Sequence, residues 1–275
     1  MSNKEILNLY GLKWNPFSYD LPKEALQATG KTESFCYRVE SLIFEGGYAM
    51  ITGHPGTGKS VVLRLLAHRL EKISDVKVGI LVRPQSGVGD FYRELGELFG
   101  IDLKAGNRWH SYKNLRRKWI EHIQTTLFRP VLLIDEAQEM QSAVLNELRL
   151  LSSHELDAKM ILTTVLCGDT RLPEKFKTPD QIPLGSRIKV RLIQEPSTKD
   201  ELIQVLKTGQ ERAGNPKLMT PELIDLLCDH AAGNIRVLMN MGSNLLTEAV
   251  QKKQDHLDEK LFFETFAINK KVRKS

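Results

Sequence analysis

The sequence predicts a three-layer α/β fold with a parallel β-sheet, followed by a wholly helical C-terminal unit. Five short runs rich in Val, Ile and Leu, at 48–51, 76–82, 131–134, 160–166 and 188–193, are mostly separated by stretches of helical spacing. Buried parallel strands read this way, because both faces of such a strand meet helices. After Glu195-Pro196 no strand pattern follows, and helical periodicity takes over. With 275 residues, 41% hydrophobic and 27% charged, the composition excludes a disordered or fibrous protein and allows one large core or a core with an appendage.

Residues 1–30 read as an N-terminal arm with two turn signals, Tyr10-Gly11-Leu12 and Asn15-Pro16-Phe17. A helix is expected from Thr32 to Glu45, with Phe35, Val39, Leu42 and Ile43 on its apolar face and Gly46-Gly47 to stop it. The apolar run Tyr48 to Ile51, a glycine-rich loop and the helical pattern Val61 to Leu70 then form a strand-loop-helix unit. The α/β domain is expected over 31–195 and a helical lid over 196–269. In the lid, Thr198 and Glu201 form a capping box, Gly214-Asn215-Pro216 ends a helix, Thr220-Pro221 opens another and Gly233 closes it. A basic tail, 270–275, completes the chain.

The formal charge of +5 and a pI near 9.0 tilt the chain toward anionic partners without selecting one. Cys36, Cys167 and Cys228 are odd in number and widely spaced, which argues against a disulfide framework and a thiolate zinc site and for buried or idle thiols. No run approaches the roughly 18 apolar residues of a membrane span, and Met1 to Tyr10 lacks a secretory layout, so a cytoplasmic location without a membrane partner is expected.

Gly53-His54-Pro55-Gly56-Thr57-Gly58-Lys59-Ser60 fits G-x-x-x-x-G-K-[ST]. Its glycines let successive backbone N–H groups curl around phosphates, and the helix that opens at Lys59 adds its positive end; Val61 continues that turn. Lys59 is placed to reach the β and γ phosphates of ATP, and the Ser60 hydroxyl to ligate Mg²⁺. The bland alternative is a chance glycine loop, which the flanking strand and helix argue against.

Val131 to Ile134 ends in Asp135-Glu136, and a parallel strand delivers its C-terminal end to the same sheet edge as the phosphate loop. Asp135 fits the role of holding Mg²⁺ through its water shell, and Glu136 that of general base for the attacking water. Alone, such an acidic pair reads as a solvated loop; beside a phosphate loop it points to hydrolysis.

This order of motifs resembles the AAA+ superfamily, and the resemblance implies a P-loop αβα core with a helical lid. It implies that Arg187, in Gly185-Ser186-Arg187-Ile188, is an arginine finger acting on a neighbouring subunit, with Arg191 as the alternative. It implies that Arg236, in Gly233-Asn234-Ile235-Arg236, faces the phosphates of its own subunit, and that Asp169 or Thr170 fills the first-sensor place. Arginine suits the two outer roles because its charge is permanent and its donors form a planar fork. The Tyr10-Gly11-Leu12 and Asn15-Pro16-Phe17 turns, the Leu81-Val82-Arg83-Pro84 strand end and the Gly-x-x-Arg segment are similar to the ExeA/GspA-type ATPases and the MuB, TniB and TnsC transposition ATPases. By that resemblance Asn15, Pro16 and Phe17 lie near the adenine.

Secretion-type members carry a membrane span and an envelope-facing domain after the ATPase. The expectation drawn here is therefore a regulator of transposition that assembles as a ring or filament on double-stranded DNA and recruits a transposase. The alternative is an ATPase serving a secretion or envelope machine, and a phosphotransferase is a third reading. In the transposition branch, as the resemblance implies, the loops after the second strand and around the next helix line the DNA; here the expected contacts are Ser86 and Gly87 in the first, and Lys104, Arg108, Lys113 and Arg116 in a stretch, 103–120, that holds no Asp or Glu. The plain alternative is a solvated face, since Tyr112, Leu115, Trp119 and Ile123 recur at helical spacing.

Overall fold

A computed structural model of the chain describes residues 3–81, 84–103, 107–155 and 158–267. The first helices are α1 (Asn3–Tyr10), α2 (Gly30–Glu45), α3 (Lys59–Leu70), α4 (Val88–Phe99), α5 (Arg108–Thr125) and α6 (Ser142–Ser152). Then come α7 (Arg171–Lys175), α8 (Ile182–Gly185), α9 (Lys199–Ala213), α10 (Pro221–Ala231), α11 (Ile235–Gln251) and α12 (Glu259–Ala267). The strands are β1 (Gly47–Gly53), β2 (Val76–Leu81), β3 (Arg129–Ile134), β4 (Ser153–His154), β5 (Lys159–Met160), β6 (Thr163–Gly168) and β7 (Ile188–Gln194). They belong to two compact units: an α/β unit over 28–54 and 59–194, and a helical unit that joins the residues up to Gln27, the loop segment Pro55–Gly58 and the chain from Glu195 onward.

In the α/β unit five strands form one sheet in the order β2-β3-β6-β1-β7, and every pairing in it is parallel. β1, β3 and β6 are central and almost wholly buried, which is why their sequences are apolar runs rather than alternations. β7 lies at an edge and does alternate, Ile188, Val190 and Leu192 pointing inward. Because successive strand residues face opposite ways, the sheet feeds two apolar layers. Tyr48, Met50, Leu132, Ile134 and Leu166 pack with α4, α5 and α6, while Ala49, Ile51, Val131, Leu133, Val165 and Cys167 pack with α2 and α3. That is the expected three-layer arrangement.

Two boundaries differ from expectation for local reasons. α2 begins at Gly30 rather than Thr32, because the Thr29 hydroxyl accepts from Thr32 N at 3.2 Å and caps the helix there. The run 160–166 is split: Met160 pairs with Ser153 in the short β4–β5 hairpin, and pairing with β1 starts only at Gly47↔Thr163.

In the helical unit the expected punctuation is present. Thr198 and Glu201 make a reciprocal capping box, and α9 ends at Gly214 in a left-handed conformation. The Thr220 hydroxyl caps α10, and the Asn234 side chain caps α11 by accepting from Val237 N. Three residues of the segment read as an arm join this unit's core: Tyr10, Leu12 and Phe17 are buried among residues of α9, α10 and α11. Lys13 N donates to Ala213 O at 2.7 Å, and the Asn215 amide donates to Tyr10 O at 3.0 Å.

Candidate nucleotide site

β1 runs straight into the glycine loop, and α3 opens at Lys59. Gly56 (φ +83°) and Gly58 (φ +90°) take left-handed backbone conformations that side-chain-bearing residues rarely adopt. Thr57 is buried, and so is Lys59 at 8% exposure, its Nζ donating to His54 O at 2.9 Å. A sequestered ammonium held by a single main-chain carbonyl is a fitting donor for anionic oxygens. Ser60 and His54 stand exposed at the loop. The loop tip is tied within its own unit: Asn234 Nδ2 donates to Pro55 O at 3.2 Å and Arg236 N to Gly56 O at 3.3 Å.

The strand register brings the acids to the end of the sheet from which this loop leaves. Ile134 is level with Leu166 and Cys167 with Ile51, so Asp135 emerges beside Cys167 at the edge that carries Gly53. The Cys167 thiol reports the convergence. Burial first, then the charge of Asp135 and a hydrogen bond to it, push its pKa up, while Lys59 pulls the other way and Glu136 adds to the rise. Lys59, Asp135 and Glu136 therefore all act on one buried atom group.

Glu136 is itself left-handed, at φ +52°, an uncommon conformation for a residue with a Cβ. Its backbone N–H donates to Asp135 Oδ1 at 2.9 Å, and its carboxylate accepts from Gln138 Nε2 at 2.5 Å. Asp169 is not free to turn: Arg171 Nε donates to both of its oxygens, at 3.1 and 2.8 Å. That bond, ahead of other causes, holds the Asp169 carboxyl below the usual range, and Lys59 contributes. Thr170 is exposed.

The remaining expected site residues lie as follows. Arg187 Nη1 donates to Pro183 O, and the exposed Arg191 donates to Gly185 O at 3.2 Å. Arg236 is exposed in the first turn of α11. Phe17 is buried, its ring filling the space where a Cβ on Gly242 would stand, so its side chain belongs to the core of the helical unit; Asn15 Oδ1 accepts from Phe17 N at 2.9 Å and shapes that turn, beside a buried Pro16.

The expected DNA contacts divide. Lys104, like Arg83 and the 270–274 tail, falls outside the described residues. Ser86 is half-buried, and Gly87 caps α4 with open space around it. Arg108, although exposed, is paired with its own fold, its Nε donating at 2.9 Å to Glu147, which is only 5% exposed and also accepts from Tyr92. Arg116 donates to the carbonyls of Leu150, at 3.0 Å, and Leu151, at 2.8 Å. Both arginines thus hold their own fold together. Lys113 is exposed, with its ammonium 4.6 Å from the centre of the Trp109 ring.

Neither Gln138 nor Asn234 was singled out by sequence, although both contact the predicted groups. Gln138 stands two places after Glu136 but gives no one-dimensional signal. Asn234 lies in the Gly-x-x-Arg segment, where the glycine and the arginine carry the signal.

Residues 42–176 match the AAA domain family. The chain carries an AAA+ ATPase domain. The General secretion pathway protein A of Aeromonas hydrophila is 28% identical over 243 residues, covering 81% of this chain. The chain spans 43% of that relative's length. Among solved structures, the ORC2 protein of Aeropyrum pernix has a TM-score of 0.73 at 16% identity, covering 93% of this chain and 71% of that one. Cdc6p from Pyrobaculum aerophilum has a TM-score of 0.69 at 16% identity, with 88% and 67% covered. The Thermotoga maritima RuvB branch migration motor has a TM-score of 0.59 at 17% identity, with 88% and 70% covered. At such identities these structures establish the AAA+ fold and no more.

The residues present fit a magnesium nucleotide. The loop supplies left-handed glycines and a buried ammonium, and two oxygen donors suited to a hard cation are Ser60, in the first turn of α3, and Asp135, just past the end of β3. Among the described residues of this AAA+ chain, no helix is long and apolar enough to cross a membrane.

Proposed function

We propose that this AAA+ ATPase binds MgATP at the 53–60 loop, hydrolyses it with Glu136 as general base, and uses the cycle to drive self-association that serves a secretion-type assembly. The observation that carries the catalytic part is the strand register, which brings Asp135 and Glu136 out beside Cys167 at the sheet end from which the 53–60 loop leaves. Ser60 and Asp135 would hold the magnesium ion, which supplies charge neutralisation on the phosphates. Lys59 grips the phosphate oxygens, and Glu136 takes the proton of the attacking water. Arg187 is proposed to complete a neighbouring subunit's site and Arg236 its own.

The secretion reading is supported by the likeness to the Aeromonas protein, whose name places it in a general secretion pathway. This reverses the order in which the sequence ranked the two machines. Its test is fractionation of cells expressing the chain at native level. Recovery with the envelope, lost when Lys59 is replaced, supports it, and recovery in the soluble fraction with and without ATP opposes it.

One feature favours the DNA-directed reading. Trp109, 61% exposed, lies parallel to Tyr112 at 5.6 Å between ring centres, under Lys113, on the helix of the acid-free stretch. Flat rings beside cations suit contact with nucleic acid. A gel shift at low salt with a slowly hydrolysed ATP analogue decides it: retention of duplex that weakens in the Lys113→Ala variant supports the reading, and no retention ends it.

A further inference from the structure

We infer that Gln138 is a positioning residue for hydrolysis: its side-chain amide clamps the Glu136 carboxylate to the main chain of Asp169, at the end of β6. The inference rests on the reading of Glu136 as general base.

The amide is bound at both ends by unlike partners. Its Nε2 donates to Glu136 Oε2 at 2.5 Å, and its Oε1 accepts from Asp169 N at 3.1 Å. A backbone N–H can only donate and a carboxylate can only accept, so the orientation of the amide is fixed by chemistry. Gln138 is 8% exposed, which limits competition from water on its side of both bonds. Room for it exists because residue 168 is glycine: a Cβ there would lie 2.5 Å from Gln138 Oε1.

Both ends of the clamp are anchored. On the β3 side, Lys175 Nζ donates to Gln138 O at 3.0 Å and also to Met140 O, which fastens the 137–140 turn. On the β6 side, Arg171 joins the Asp169 carboxylate to Glu139, with bonds of 2.8 and 2.7 Å. Glu136, by contrast, is an exposed residue in a left-handed backbone conformation. A general base must point at one proton in one direction, and a flexible carboxylate loses rate through misplacement. The Gln138 amide removes that freedom and sets the direction from a neighbouring strand end.

The test uses the full chain and three variants: Gln138→Met, which keeps volume and loses both bonds; Gln138→Glu, which places a second carboxylate against Glu136; and Glu136→Gln. The expected result for Gln138→Met is a fall in kcat of roughly tenfold to a hundredfold, with KM for MgATP held within about twofold. In Gln138→Glu the two adjacent carboxylates bind a proton more tightly, so the acidic limb of the kcat–pH profile moves to higher pH. A side chain that merely fills buried space would lower the melting temperature, shift kcat and KM without that split, and leave the pH limb in place. That pattern, or wild-type turnover in both Gln138 variants, overturns the inference. If Glu136→Gln is inactive while the Gln138 variants turn over normally, the clamp alone falls. If Glu136→Gln turns over normally, the general-base reading falls and the clamp with it.

Discussion

Asn234 stands where a side chain at Gly56 would have to go: a Cβ built on Gly56 lies 2.1 Å from Asn234 Oδ1. The same Asn234 caps α11 and donates to Pro55 O. One amide thus shapes the tip of the phosphate loop and starts the helix that carries Arg236.

Gly56→Ala should therefore suffer twice, from the left-handed backbone at φ +83° and from the clash. We expect a loss of about 1–3 kcal/mol in stability or in ATP binding, measured by thermal melting and titration calorimetry. Adding Asn234→Ala should recover only the part due to the clash; full recovery would show that backbone strain contributes nothing.

Lys59→Ala should weaken nucleotide binding by roughly 1.5–3 kcal/mol, the usual worth of a hydrogen bond to a charged group. Fluorescent-nucleotide titration measures it. Unchanged affinity would remove Lys59 from the phosphate site.

For Arg187→Ala the expected outcome is loss of hydrolysis with ATP binding retained. Mixing it with the Lys59→Ala variant, which keeps its finger, should restore part of the activity. Absence of rescue at every mixing ratio would argue against action across a subunit interface.

Arg108→Ala and Lys113→Ala should part company. Removing Arg108 leaves the buried Glu147 carboxylate with Tyr92 as its remaining described bond, and a cost of about 1–2 kcal/mol is expected, discounted for the exposed guanidinium. Lys113 is exposed, so its removal should leave the melting temperature within a degree or two, roughly the noise of a surface change. Equal shifts would refute the distinction, and the outcome decides which variant cleanly tests DNA contact.

The thiols give a pH prediction. Burial pushes Cys36 and Cys228 up to about 11. In the unfolded chain a thiol ionises near pH 8.5, so the folded state holds its protons more tightly and this contribution is complete below that pH. Stability should decline as pH rises from about 8.5 toward 11, read from denaturant midpoints. At pH 8 all three cysteines are buried and should resist a thiol reagent until the protein is unfolded.

Much of the site was legible because its signals are local. The spacing of Gly53 to Ser60 specifies a loop whatever else the chain does, and apolar residues ending in Asp135-Glu136 specify a strand that delivers acids to an edge. The caps at Thr198, Thr220 and Gly214 were legible for the same reason: each side chain or backbone torsion acts within four residues of itself.

What stayed hidden depends on groups distant in sequence. Arg108 and Arg116 look like a basic stripe in one dimension; only packing against α6 and the chain following it shows them bound to Glu147 and to the carbonyls of Leu150 and Leu151. The segment read as an arm places Phe17 in a core, against Gly242 far along the chain.

The sequence by itself determined the phosphate loop, the acids at the strand end and the alternation of strands and helices, since each is written within one turn or one strand. Tertiary structure alone decided that Gln138 joins Glu136 to Asp169, that Asn234 tops the loop at Gly56, and which arginines are already engaged. Those pairings follow from strand register and helix packing, which set distances between residues that no spacing along the chain can measure.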